Sequence, residues 1–278
     1  MVVVLEKNNF SSYMLIVADF IKWAKDNKIL VGVGRGSVGG SLVAYLLGIH
    51  GVDPVKYNLL FERFQNAEKK DLPDIDTDFT SAGRDLVQEY CIKKYGKERC
   101  ANVSNINTYT PKNVIPDLVK SMRNVMPNLV PEGANYVKVS EEIKSAIPEK
   151  DVDDEKITTL EDAMKLSPKL REFASRCPDL MEYADAIVGL PKEFSTHAAG
   201  LVISDDPIIE FAPLRIDKNG TTALQLEKTR CEGMGLVKMD FLSISTLDVI
   251  DETFKNIERL GIQDGPKQME DIPLDDVE

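Results

Sequence analysis

Apolar residues recur at helical spacing early in the chain and at strand spacing near its end. Residues 10–27 follow a period of about 3.6 residues, which predicts an amphipathic helix. The short apolar run 29–31 predicts a buried strand, which leads into the glycine-rich stretch 32–37. A second helix is expected from about residue 38 or 40 to Gly48, and a third over residues 84–96.

The second half of the chain changes from helical to strand patterns. Residues 112–185 predict mostly helix, interrupted by prolines. Strand patterns return over 200–204, 222–226 and 235–242, and a last helix is predicted over 246–259. This order predicts an α+β fold in which a mixed-sheet domain is interrupted by a helical subdomain.

Composition narrows the class of protein. The 278 residues are 43% hydrophobic and 29% charged, which is typical of a globular chain with a sizeable core. No apolar run reaches the roughly 18 residues that a membrane span needs, so we expect no membrane partner. No CxxC pair is present, which predicts reduced thiols, makes a cysteine zinc site unfavourable and favours a cytoplasmic location. The four cysteines are Cys91, Cys100, Cys177 and Cys231.

The net charge of −12 argues, taken alone, against a nucleic-acid partner. Its distribution is uneven, because residues 1–130 carry a net charge of +3 and residues 131–278 a net charge of −15. The N-terminal half therefore remains compatible with a phosphate backbone. The simpler interpretation, a solvated charged surface, stays open for most of these side chains.

Three carboxylates alternate with other residues at Asp74, Asp76 and Asp78. On a strand they would share one face, since two residues rise about 6.6 Å. Like charges so placed repel each other, and a divalent cation with oxygen ligands would compensate them. A solvated edge strand or loop is the open alternative.

Residues 235–242 predict a buried strand, yet Lys238 and Asp240 share one of its faces. A buried charge is costly unless it is paired or binds a metal. The two interpretations are a structural Lys–Asp pair and a third carboxylate brought beside Asp74 and Asp76 by the sheet.

The glycine-rich stretch matches Gly34-x-Gly36-x-x-Gly39, the formal pattern of a dinucleotide-binding turn. The acidic residue expected about 20 positions later at a strand end is missing, which disfavours a dinucleotide-binding oxidoreductase. The amides, the Ser37 hydroxyl and the Arg35 guanidinium would instead surround phosphate groups. A tight turn that needs positive φ is the structural alternative.

A phosphate-binding turn, an aspartate strand and a distant third aspartate together describe a two-metal nucleotidyltransferase. The chain resembles the palm and thumb region of the family C bacterial replicative DNA polymerases, the catalytic alpha subunits of DNA polymerase III. The resemblance covers roughly residues 8–260 and is least between 112 and 190. The resembling blocks are residues 31–49, 52–54, 57–64, 72–79, 195–203 and 235–242.

The resemblance implies a palm similar to the polymerase-beta nucleotidyltransferase fold, with a helical thumb inserted in it. The implied palm consists of two segments, residues 1–110 and residues 193–245. The implied thumb lies between them at residues 111–192. Residues 246–278 would be the start of the fingers region and a tail.

The resemblance also implies the roles of individual residues in DNA-directed DNA synthesis. Asp74, Asp76 and Asp240 would be the catalytic carboxylates and hold two Mg²⁺ ions, for which Mn²⁺ can substitute. The residues expected near the dNTP phosphates are Arg35, Gly36, Ser37, Arg63, Lys69 and Lys238. Lys69 stands where the family usually has Arg, so its contact is expected to be weaker.

The resemblance leaves several points open. The expected partners are primer–template DNA, a dNTP and a second polypeptide that carries the fingers and C-terminal regions. Shortness and divergence indicate a phage-encoded or split polymerase, or a shortened piece of one. The rival function is a non-catalytic module that binds DNA or a polymerase subunit. For His197 a local hydrogen-bonding role is favoured over substrate contact, and Asp78 is not required as a ligand.

Overall fold

The computed structural model describes residues 1–66, 68–69, 72–122, 135–150 and 154–272. Its contacts divide the chain into two compact units. One unit comprises residues 1–105 and 196–278, and the other comprises residues 106–195. Their identification as palm and thumb, with the boundaries given above, stays a prediction. Some residues of the predicted segments lie outside the described residues, namely 67, 70–71, 123–134, 151–153 and 273–278.

The described strands form one six-stranded mixed sheet in the order β1-β6-β3-β2-β5-β4. Strand β1 pairs in parallel with β6, which pairs antiparallel with β3, while β5 pairs in parallel with β2 and antiparallel with β4. Mixed sheet and helices together confirm the α+β class. The strands are β1 (Asp76–Phe79), β2 (Cys100–Thr108), β3 (Pro191–Ile203), β4 (Leu214–Ile216), β5 (Thr222–Leu224) and β6 (Val237–Ser243).

The helices of the first unit include two long ones that confirm the sequence prediction. These are α2 (Ser11–Asp26) and α4 (Ser81–Tyr95). The others are α1 (Val2–Lys7), α3 (Leu42–Leu46), α10 (Lys228–Gly233) and α11 (Ser245–Arg259). Helix α11 also agrees with the helix predicted over 246–259.

Aromatic side chains pack α2 against one face of the sheet. The ring of Phe20 lies 4.8 Å from that of Phe241 and 6.4 Å from that of Phe79, measured between centroids, and all three residues are fully buried. Because side chains alternate along a strand, Asp76 and Asp240 project from the opposite face. The packed core thus determines which face carries the acidic residues.

The unit 106–195 is mostly helical, as its sequence predicts, and it also contains one end each of β2 and β3. Apolar side chains from its helices form a core of their own, which includes Val114, Ile143, Leu170 and Leu180. The helices are α5 (Pro111–Met122), α6 (Tyr136–Ala146), α7 (Leu160–Leu166), α8 (Pro168–Arg176) and α9 (Pro178–Ile187). Within the parts of the chain that the structure describes, no helix is long and apolar enough to cross a membrane.

Two local predictions around the glycine-rich stretch are wrong. Residues 29–31 form no strand, because only Val31 bridges to Phe79 before Gly34 turns the chain with φ of 102°. The expected continuous second helix is a short 3-10 helix, Gly36–Gly40, followed by α3. Ser41 separates the two, and its hydroxyl caps α3 by accepting a hydrogen bond from the Ala44 amide at 3.2 Å.

Candidate functional site

The central pairing of the sheet brings Asp76 and Asp240 side by side. Asp76 is in register with Asp240 between the parallel strands β1 and β6. The Thr77 hydroxyl also donates a hydrogen bond to the Asp240 carbonyl at 2.7 Å, which ties the two strands together at this point. Neighbouring residues in register share one face of a sheet, so the two carboxylates project together.

Asp74 completes an acidic cluster just before β1 begins. Carboxylate oxygens of Asp74, Asp76 and Asp240 all lie within 4.8 Å of one another. Asp74 is exposed and the other two are partly buried. Three converging carboxylates are a donor set of hard oxygen atoms, which fits Mg²⁺ or Mn²⁺.

Lys238 forms an ion pair within this cluster. Its ammonium nitrogen lies 2.5 Å from Asp240 Oδ1 and 2.7 Å from Oδ2. The exposed fractions of the two side chains are 8% and 11%, so the pair is largely shielded from solvent. Both interpretations of this strand therefore hold, because Asp240 is a partner of Lys238 and also the third carboxylate.

Asp78 does not join the acidic cluster, although it shares a face of β1 with Asp76. Its side chain is 9% exposed and lies against Arg35. Burial raises the pKa of the Asp78 carboxyl, the Arg35 guanidinium opposes this, and the charge of Asp76 adds to it. Of the three aspartates predicted to share one face of a strand, only Asp76 and Asp78 lie on β1, and these two have different surroundings.

Arg35 extends from the glycine-rich turn toward both aspartates of β1. Its Nη2 atom lies 3.4 Å from Asp76 Oδ2, and its Nε atom lies 3.4 Å from Asp78 Oδ1. Half of the Arg35 side chain is exposed. The turn therefore places a cation beside the acidic cluster.

The glycines of the turn differ in whether the surrounding atoms leave room for a Cβ atom. A Cβ at Gly34 would lie 2.5 Å from His50 Cβ, and one at Gly40 would lie 2.4 Å from the Leu60 carbonyl oxygen. Gly39, the third glycine of the dinucleotide pattern, would meet only Leu59 Cδ1 at 3.8 Å. Close helix packing, which that pattern requires of its third glycine, is therefore absent here.

Gly36 and Ser37 stand at the open side of the turn. Gly36 has a φ of 73°, and a Cβ there would meet nothing within 4 Å. Ser37 is partly buried. The arrangement leaves the backbone at Gly36 accessible to a ligand.

Arg63 and Lys69 are two predicted phosphate contacts for which the described residues show no hydrogen bond or ion pair with the cluster. Both side chains are exposed. The Lys69 ammonium group donates to the Phe64 carbonyl at 3.5 Å, and its backbone carbonyl accepts from Asn8 at 3.1 Å. Their roles stay predictions.

Tyr13 is a residue near the site that the sequence patterns did not single out. Burial raises the pKa of its phenol, a backbone hydrogen bond from Ile75 opposes this, and the charges of the three cluster aspartates add to it. Tyr13 lies on the buried face of α2, where a helical period predicts only a core residue. No sequence signal distinguishes it from the other core positions of that helix.

His197 lies close to Lys238 on the neighbouring strand. A Cβ at Gly200 would be 3.2 Å from His197 Nδ1 and 2.9 Å from Lys238 Cε, so both side chains approach the same point. Within the described residues, Nδ1 is buried and makes no hydrogen bond. The favoured local hydrogen-bonding role is therefore not seen at this ring atom.

Residues 2–243 match the sequence model of the bacterial DNA polymerase III alpha NTPase domain. The chain belongs to this family. Relatives named DNA polymerase III subunit alpha include that of Aquifex aeolicus, which is 39% identical over 98% of this chain and 24% of its own length. Those of Thermus aquaticus and Borreliella burgdorferi are 36% and 40% identical over 98% and 96% of this chain.

The family assignment confirms the resemblance seen in the sequence motifs. The chain spans 21% and 22% of the Thermus aquaticus and Borreliella burgdorferi relatives, so most of each relative lies outside the matched region. A DNA polymerase family suggests the use of a divalent metal ion, and the acidic cluster is a possible site for one.

Proposed function

We propose that the chain supplies the catalytic palm of a DNA-directed DNA polymerase, with residues 111–192 as its thumb. The reaction would join the α-phosphate of a dNTP to the 3′-hydroxyl of a primer on a DNA template and release pyrophosphate. The observation that carries this proposal is the convergence of Asp74, Asp76 and Asp240 within 4.8 Å, in a chain of this family.

The three aspartates would hold two Mg²⁺ ions, or Mn²⁺ in their place. When bound, such ions supply Lewis-acid activation of the attacking hydroxyl and stabilise charge on the phosphate oxygens. The sheet contributes rigidity, since Asp76 and Asp240 lie on paired strands joined by the Thr77 hydrogen bond. Ligands fixed in this way need little rearrangement during the reaction.

The cations around the cluster would receive the triphosphate. Lys238 forms an ion pair with Asp240, and Arg35 forms one with Asp76, so both cations directly contact proposed metal ligands. The accessible backbone at Gly36 and the Ser37 hydroxyl would add hydrogen-bond donors. Arg63 and Lys69 would join when nucleotide and DNA are present.

Processive synthesis would need polypeptide beyond these 278 residues. The relatives named above are four to five times longer than the segment they share with this chain. The net charge of −15 in residues 131–278 makes this half a weak ligand for DNA, since affinity depends on neutralising phosphates. We therefore propose a second polypeptide with the fingers and C-terminal regions as a partner.

Primer extension at low salt with Mg²⁺ tests the proposal. The chain alone should extend poorly, and addition of a fingers-bearing polypeptide from the same genome should raise the rate by orders of magnitude. Asp240→Ala in the chain should abolish the gain, whereas Asp26→Ala, a change at an exposed aspartate of α2, should not. A gain that survives Asp240→Ala would exclude this site as the catalytic centre. No extension with any complement, despite metal and dNTP binding, would favour the non-catalytic module.

A further inference from the structure

Asp78 is the one aspartate of the 74–78 motif that the proposed metal site does not use. Its backbone carbonyl accepts a hydrogen bond from the Gly32 amide at 2.9 Å. A Cβ at Gly32 would lie 3.0 Å from Asp78 Cβ, so the glycine lets the two backbone segments approach closely. The segment that leads into the glycine-rich turn thereby covers the Asp78 side chain, which is 9% exposed.

Among the residues that the structure describes, the Asp78 carboxylate forms an ion pair with Arg35 alone. Within the described residues its Oδ1 atom accepts no hydrogen bond, and Arg35 Nε stands 3.4 Å from it. A carboxylate that is 9% exposed is costly without such a charge nearby. Asp78 is thus positioned to hold Arg35 rather than to reach a cation at Asp74 or Asp240.

The two ends of the Arg35 guanidinium have different surroundings. The Nε end faces the enclosed Asp78, while the Nη2 end faces Asp76, whose side chain is 35% exposed. Charge pairs are stronger where solvent is excluded. The Asp78 contact is therefore the anchor, and the Asp76 contact is the one that exchanges easily.

We propose that Asp78 is a positioning residue that holds Arg35 at the acidic cluster, so that Nη2 passes from Asp76 to a triphosphate oxygen when a cation takes Asp76. This rests on the proposed function. A cation at Asp76 repels the guanidinium, and Nη2 leaves while Nε stays with Asp78. Without Asp78, the half-exposed Arg35 side chain would move into solvent, and its entropy would have to be lost again on nucleotide binding.

The rival role is that of a further metal ligand, as the alternating motif alone suggests. The two roles predict different binding defects. A ligand affects the cation directly, whereas a positioning residue affects the nucleotide and acts only through Arg35. Binding measurements on single and double variants therefore separate them.

The experiment uses calorimetry with two probes, Mn²⁺ alone and dATP in excess Mg²⁺. Asp78→Asn should leave Mn²⁺ affinity within about twofold and weaken dATP binding about tenfold, the scale of one charge-assisted hydrogen bond. Arg35→Gln should weaken dATP binding similarly, and the double variant should bind no more weakly than Arg35→Gln. Asp26→Asn is the matched control and should change neither affinity.

Each alternative outcome has a defined meaning. A loss of Mn²⁺ affinity in Asp78→Asn as large as that in Asp76→Asn would make Asp78 a ligand and overturn the inference. Additive losses in the double variant would also overturn it. If wild type binds neither probe, the proposed function and the inference both fail. If wild type binds both and Asp78→Asn matches it, only the inference fails.

A second measurement covers the case in which Asp78→Asn does not fold. In ¹⁵N-arginine-labelled wild type, the Arg35 Nε–H signal should remain protected from water exchange during a Mg²⁺ titration. Arg35→Lys, which keeps the charge but lacks the two-ended guanidinium, should bind dATP about as weakly as Arg35→Gln. Loss of the Nε–H signal on adding Mg²⁺, or full affinity in Arg35→Lys, would contradict the anchoring role.

Discussion

Asp76 lies directly beside Asp240 in the sheet, although the two residues belong to separate halves of the sequence. Parallel pairing of β1 with β6 gives them one face, and Lys238 neutralises some of the charge that they concentrate there. This arrangement makes the stability and the metal affinity of the site depend on the same few charges. Replacing any one of these charged side chains should therefore change the stability of the fold, the metal affinity of the site, or both.

Neutralising Asp74 should separate metal binding from folding. Asp74→Asn removes one of three carboxylates within 4.8 Å of one another, so Mn²⁺ affinity should fall at least tenfold. Without metal, the variant should unfold at the same or a slightly higher temperature, since repulsion is relieved at an exposed position and the gain is at most about 1 kcal/mol. Calorimetric Mn²⁺ titration and thermal unfolding measure both effects. Unchanged Mn²⁺ affinity would remove Asp74 from the ligand set.

Replacing Lys238 should destabilise the fold but should not weaken the binding of Mg²⁺ to the acidic cluster. Lys238→Met leaves Asp240 with little solvent and no ammonium partner, a loss of about 3 kcal/mol or more. Saturating Mg²⁺ should restore more stability in this variant than in wild type, because the ion then meets a more negative cluster. Urea unfolding with and without Mg²⁺ gives the comparison. Lys238→Arg, which keeps the charge, is the control, and an equal Mg²⁺ effect in all three proteins would contradict the prediction.

Two adjacent glycines of the turn should respond differently to alanine. Gly40→Ala places Cβ 2.4 Å from the Leu60 carbonyl, a backbone atom that cannot move aside easily, and should cost about 1–3 kcal/mol. Gly39→Ala makes only an ordinary 3.8 Å contact with Leu59 and should stay within about 0.5 kcal/mol of wild type. Chemical denaturation of both variants measures the difference. Similar losses would mean that the turn is not packed against Leu60 in this way.

Asp19 should stabilise the contact between α2 and α4 in a pH-dependent manner. Burial works to raise the pKa of Asp19, but hydrogen bonds from Lys94, Tyr90 and Tyr95 outweigh it and lower the pKa. The stabilisation is therefore complete above the unfolded-state pKa of about 3.9 and is lost as pH falls through the lower folded-state value.

Asp19→Asn tests this linkage by urea unfolding at pH 7 and pH 3. The difference in free energy of unfolding from wild type should be larger at pH 7. Asp26→Asn, on the same helix but outside this hydrogen-bond group, should show a small difference at both values. A loss in Asp19→Asn that is equal at both pH values would contradict the linkage.

Local patterns in the sequence were sufficient for the elements whose side chains repeat regularly. The helical periods of α2 and α4 and the strand pattern of β6 predict those elements, because each buries one regular face or run of apolar residues. The sequence patterns do not predict strand β2, because its apolar and polar residues do not alternate regularly. The apolar run 29–31 predicts a strand that does not form, because apolar character alone does not reveal the turn that follows at Gly34.

In the candidate site, too, the sequence predicts some features and the tertiary structure decides others. Residue types and spacing by themselves determined that Asp74, Asp76 and Asp240 were candidates, and the family motifs related them to one another. Only the tertiary structure decided that Asp240 lies beside Asp76, and that Asp78 contacts Arg35 and is not part of the acidic cluster. The physical reason is that periodicity records which face of an element is buried, whereas a charge's partner depends on which distant strand or turn packs against it.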